Sequence, residues 1–164
     1  MCKSRPFIFV LAVLLLPLSV QGGDVRHPEK TLPAFSFVLP DNWSHEPDTS
    51  GNLIMFSPNR TTGIVIIVAE SADALDKIAT EAFGVAKAEA PQSKKPAEIS
   101  GCKGFTYFST ITNAKGIKMS LETTIVRVNE KFIAAASLLV VTTATKDDET
   151  AARLVHNGLK LVNE

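Results

Sequence analysis

Between Gly104 and Val141 three long runs of strand-forming residues are separated by tight turns, and few folds accommodate that pattern. In GFTYFSTIT, Phe105, Tyr107 and Ile111 fall on one face. NAKG follows, a four-residue turn whose Gly116 is free to take a left-handed conformation. Ile117, Met119, Leu121 and Ile125 then alternate with Lys118, Ser120, Glu122 and Thr124, which predicts a strand with one face to a core and one to water. Asn129-Glu130 supplies a second tight turn, and KFIAAASLLVV returns as a strand apolar on both sides. Strands joined by such short turns run antiparallel. Residues 104–141 are therefore expected to form a sequential meander, with no helix within 117–141.

The segments before it are shorter. Residues 23–33 are polar, carry Pro28 and Pro33, and read as an extended lead-in. In AFSFVLP, Phe35, Phe37 and Leu39 share one face and Pro40 ends the strand. NLIMFSP is a second short run closed by Pro58, NRTTG is a turn, and IVIIVAE is a branched-chain run suited to a strand covered on both faces. The period then changes. From Ser71 as N-cap, with Asp73 in the first turn, Leu75, Ile78, Ala79, Ala82 and Ala86 recur at helical spacing. EAPQSKKPAE, with two prolines and the Lys94-Lys95 pair, reads as a solvated connector. At the other end, Thr145 and Asp148 form a capping-box-like start, and Ala152, Val155, Leu159 and Val162 give a helical stripe with His156 on its flank.

The first residues obey a different rule. Lys3 and Arg5 precede an uncharged apolar run, residues 7–20, too short for the ~20 residues of a membrane-spanning helix. Val20 and Gly22 offer small residues at the −3 and −1 positions of a signal peptidase site, so cleavage is expected between Gly22 and Gly23; the alternative is an uncleaved anchor. Export to the periplasm or medium follows, with no stable membrane insertion after cleavage. Without Lys3 and Arg5 the seventeen basic residues become fifteen against seventeen acidic ones, a net charge near −2, which makes nucleic acid a poor partner. Of the two cysteines, Cys102 alone would remain. It sits in ISGCKGF at the start of a strand, where a small buried residue is expected rather than a reactive thiol.

Chemistry, if present, would concentrate in LPDNWSHEPDTSG, residues 39–51, which holds the chain's one tryptophan. No G-x-S-x-G elbow exists to present a nucleophile. Ser44 and His45 are adjacent, so their side chains diverge. His45, Glu46 and Asp48 are the candidate metal or hydrolytic residues, but His27 and His156 are distant and no cysteine pair completes a zinc set. Asp147, Asp148 and Glu149 suit a helix N-terminus, and no phosphate-binding glycine loop occurs. The sequons at Asn42 and Asn59 read as chance matches. No cofactor is expected. Trp43 is expected to pack into the core near the final helix, with His45, Glu46 and Asp48 solvated around it as a loop for interaction or anchorage.

The order of elements, the LP..W of FSFVLPDNW, the SGCKGFTYF start of the meander and the turn VNEKFI together resemble the PsbP-like fold. The resemblance covers roughly residues 32–163. It implies an α+β class, an α/β/α sandwich around an antiparallel sheet, with residues 34–164 as one domain. Members include the photosystem II extrinsic subunit, a nuclear transport factor and DcrB-like bacterial envelope proteins, most of them accessory or binding proteins. The resemblance therefore implies a non-catalytic exported protein that binds another envelope protein. A small hydrolase or metal-dependent enzyme using His45 and its acidic neighbours is the alternative, and a carrier of an apolar ligand between sheet and helix is a third option.

Overall fold

The computed structural model describes residues 24–113 and 115–163, so the leader, residues 1–22, lies outside the described residues. The meander forms as the pattern dictates. β7 (Cys102–Thr112), β8 (Lys118–Arg127) and β9 (Phe132–Val141) pair antiparallel in sequence, with Phe105 opposite Ile125 and Leu121 opposite Leu139. The Asn113 carboxamide accepts from the Lys115 and Ile117 amides, and Gly116 takes φ +77°. At the second turn the Asn129 side chain accepts from the Lys131 and Phe132 amides, 2.9 Å each.

β9 also pairs with β5 (Thr62–Glu70), and β5 continues to β4 (Leu53–Phe56) and β3 (Ser44–Pro47). β6 (Ser93–Ile99) adds to the far side of β7, giving a seven-stranded antiparallel sheet in the order β3-β4-β5-β9-β8-β7-β6. A smaller sheet, β1-β2-β10, joins β1 (Asp24–His27), β2 (Ala34–Val38) and β10 (Lys160–Val162). Helix α1 (Leu75–Ala86) covers one face of the large sheet, where Ile78, Ala79 and Phe83 meet Val65, Ile67, Leu121 and Ile133. Helix α2 (Lys146–Asn157) and the small sheet share the other face, where Phe35, Leu39, Val155 and Leu161 join Ile64, Ile66 and Leu138 in a second core. The class is α+β, with helices on both faces of one antiparallel sheet.

Several expectations need correcting. The lysine-rich connector is a strand. β6 is tolerated at the sheet edge because a proline there removes only an outward donor, and the Lys94 and Lys95 ammonium groups lie over the Phe105 and Phe108 rings, 4.5 and 4.9 Å from their centroids. Helix α1 starts at Leu75, not after Ser71, because the Arg127 guanidinium donates to the Ser71 and Asp73 carbonyls and holds that segment extended. Helix α2 stops at Asn157, and Leu159 and Val162 belong to the returning chain and β10. The capping box of Thr145 and Asp148 forms as expected. On β8, Lys118 and Ser120 face water, but Thr124 is buried under the second core and pairs with Thr106 at 2.8 Å.

Gly104 lets β7 approach β8 closely. A Cβ there would lie 1.9 Å from the Ile125 carbonyl oxygen and 2.7 Å from the Val126 Cα, both backbone atoms that cannot swing aside. Gly84 in α1 has nothing within 4 Å of such a Cβ. Gly104→Ala is therefore expected to destabilise by roughly 3 kcal/mol, and Gly84→Ala to stabilise by about 0.5–1 kcal/mol. Chemical denaturation of the two variants checks the opposite signs.

Candidate functional site

The reactive residues of 40–51 are distributed by ordinary strand and turn geometry. Pro40 lies two residues past the end of β2, and its carbonyl accepts from the Trp43 amide at 3.2 Å while Asn42 takes φ +68°. That turn directs Trp43 inward. The indole is 4% exposed and belongs to the core that contains Ala152 and Val155 of α2, as expected.

Beyond it the chain is a strand, not a loop. In β3, His45 lies opposite Met55 and Glu46 opposite Ile54. Successive strand residues point to opposite faces, so Ser44 and His45 are held apart on the two sides of the sheet. His45 shares its face with the fully buried Met55, and its Nδ1 is buried without a hydrogen-bond partner. Asp48 closes the β3–β4 hairpin. Its Oδ1 accepts from the Ser50 and Asn52 amides at 2.7 and 2.9 Å, and its Oδ2 from the Asn52 carboxamide at 2.7 Å. His45, Glu46 and Asp48 are half-buried, which corrects the expectation that they are solvated. The reason is their pairing with β4 and, for Asp48, the turn that it completes. Among the described residues no three of His, Cys, Asp and Glu converge as metal ligands.

His27 of β1 reaches the same hairpin, its Nε2 donating to the Gly51 carbonyl at 2.9 Å. Burial of the ring holds its pKa below the ordinary value, although the Gly51 carbonyl, Glu29 and Asp48 pull the other way. Cys102 starts β7 half-buried against the core, with the Asn163 carboxamide 3.8 Å from its sulfur.

A polar cluster that the pattern did not reveal lies at the start of α1. Asp76 accepts from Tyr107 Oη at 2.8 Å and from Lys94 Nζ at 2.7 Å. The lysine and the phenol hold the Asp76 carboxyl below its usual range, while burial and the Asp76 charge push the Tyr107 phenol up. Near neutral pH the carboxylate is therefore ionised and the phenol protonated, each held by the other. The cluster fastens α1 to β6 and β7. Asp148 plays the same part on α2, where it accepts from Thr145 and from the Asn59 carboxamide at 2.7 Å each, which also occupies the second sequon. Tyr107 and Asp76 are 31 residues apart, so nothing local in the sequence signals their contact.

Two concave regions stand out among the described residues. The space between α1 and the sheet, lined by Ile67, Phe83, Leu121 and Ile125, measures about 20 Å³, close to the size of one water and too small for an apolar cargo. A groove of about 390 Å³ runs between β2 and α2, with Phe37, Val38, Pro40, Leu154 and Val155 along it.

No protein-family model matches the sequence, and no curated protein is significantly similar to it. Solved structures are. LpqN of Mycobacterium tuberculosis, described as involved in cell envelope biogenesis, superposes with a TM-score of 0.56 at 16% identity, over 87% of this chain and 91% of that one. CyanoP, the cyanobacterial PsbP of Synechocystis, superposes with a TM-score of 0.60 at 8% identity, over 92% of this chain and 98% of that one. The fold is PsbP-like. A Bacteroides thetaiotaomicron protein also matches, with a TM-score of 0.51 at 16% identity over 79% of this chain, which spans 46% of that protein. In the PsbP-like domain the α/β/α expectation therefore holds, with the small sheet as an addition to the α2 layer.

Two outcomes follow from this placement. Trp43→Ala is expected to cost about 3–5 kcal/mol, whereas His45→Leu, which removes an unpaired buried nitrogen, should leave the melting temperature unchanged or higher. Thermal unfolding of both variants checks this. The second outcome concerns pH. The folded domain favours the neutral His27 ring, so its contribution is complete above pH 6.5, the ordinary value, and is lost as pH falls through the lower folded value. Stability measured between pH 7 and about 5 should fall, and His27→Gln should flatten that fall.

Proposed function

We propose that the PsbP-like domain is an exported accessory protein of the bacterial envelope that acts by binding another envelope protein and catalyses nothing. The observation that carries this reading is the placement of residues 40–51. Trp43 is a core side chain, Ser44 and His45 occupy opposite faces, and Asp48 is saturated by backbone and carboxamide donors. Nothing there is arranged to stabilise a transition state. The description of LpqN as an envelope biogenesis protein supports the compartment. Export rests on the leader, with the mature chain beginning near Gly23.

The reading predicts an interaction that survives EDTA and His45→Ala, measured by cross-linked capture from native envelope. Turnover of ester, peptide or glycoside substrates that disappears in His45→Ala at unchanged stability would replace it with the enzyme reading. N-terminal sequencing of exported material should give Gly23 or a neighbour, and an intact Met1 on membrane-retained protein would contradict the processing.

A further inference from the structure

The two most exposed large apolar side chains among the described residues, Leu154 at 71% and Val38 at 66%, line the same groove. The register of the small sheet adds charge to it. Arg26 of β1 and Lys160 of β10 both lie opposite Ser36, so their side chains share the outward face of β2 with Val38. Both are exposed and neither enters an ion pair among the described residues. Asp24, opposite Val38, is the one acidic side chain lining the groove. Apolar side chains flanked by unpaired cations are the composition of a surface that lies in a lipid interface and favours anionic headgroups.

Chain length points the same way. The apolar leader run ends at Val20, and only Gln21, Gly22 and Gly23 separate it from Asp24 at the groove's rim. While the leader is held in a bilayer, Asp24 stays within roughly 14 Å of it, the reach of an extended chain of that length. That tether keeps the Asp24 rim of the groove near the membrane as the domain emerges.

We infer that the β2–α2 groove is a peripheral docking surface for an anionic lipid bilayer, with Val38 and Leu154 entering the interface and Arg26 and Lys160 meeting the headgroup phosphates. The inference concerns a lipid surface and does not rest on the protein-partner reading above.

The test uses the chain from Gly23 onward, which contains every residue of both cores. It is sedimented with vesicles of phosphatidylcholine containing about one-third phosphatidylglycerol, and with phosphatidylcholine alone. Binding to the anionic vesicles should be several-fold tighter. Arg26→Gln and Lys160→Gln should each weaken it about fivefold. Val38→Ser combined with Leu154→Ser should abolish it at unchanged melting temperature, and Ile117→Ser, an exposed apolar control elsewhere, should leave it intact. Absence of binding to either vesicle, or binding indifferent to the Val38 and Leu154 changes, overturns the inference. So does a lipid-free dimer that the same double variant dissolves, which would give the face to a second copy of this chain.

Discussion

Burial of β5 and β9 on both faces is the constraint on which the rest of the structure depends. Ile64 and Ile66 of β5 point into one core while Val65 and Ile67 point into the other, and all four are almost completely buried. Fully burying such a side chain contributes about 1.5–3 kcal/mol, so neither face can be left to water. Helix α1 covers one side. The other side needs α2 and the small sheet together, because the second core extends from Leu53 and Met55 on β4 to Val126 on β8. The edges of the large sheet are then free to be polar. Both edge strands carry a proline, Pro47 in β3 and Pro96 in β6, and β6 adds two lysines, which blunt edge-to-edge pairing.

That constraint also explains how a reactive-looking segment is built into the framework. Residues 40–51 lead the chain from the small sheet to the edge of the large one. The junction takes an aromatic to fill the core, a left-handed Asn42 to make the bend, and an aspartate to close the following hairpin. Trp43 and Asp48, two of the residues that suggest chemistry in the linear sequence, thus answer local folding requirements. The docking surface inferred above lies elsewhere, where β2 and α2 meet.

Legibility in the sequence followed the physics of burial. The meander, the doubly buried β5 run, the inward face of Phe35, Phe37 and Leu39, the core position of Trp43 and the α2 capping box could all be read, because each is a local pattern of apolar period or capping chemistry. What was hidden depends on distant partners. β6 looks like a linker because an edge strand needs no apolar face. The start of α1 is set by Arg127, more than fifty residues away. β10 is three residues long and exists because Gly158 ends α2 and β2 offers an open edge. The half-burial of His45 comes from pairing with β4. Leu154 alone carried an unread local signal, an apolar residue off the buried stripe of α2.

The central claim is that residues 40–51 are part of the folded framework and not a mobile reactive loop. Native-state hydrogen exchange at Trp43 and Asn52 tests it most directly, since their amides donate to the Pro40 carbonyl and to Asp48 Oδ1. Both amides should be protected, opening with free energies approaching those of the β5 and β9 amides. Rapid exchange at Asn52 and Trp43 while β5 and β9 stay protected would contradict the account.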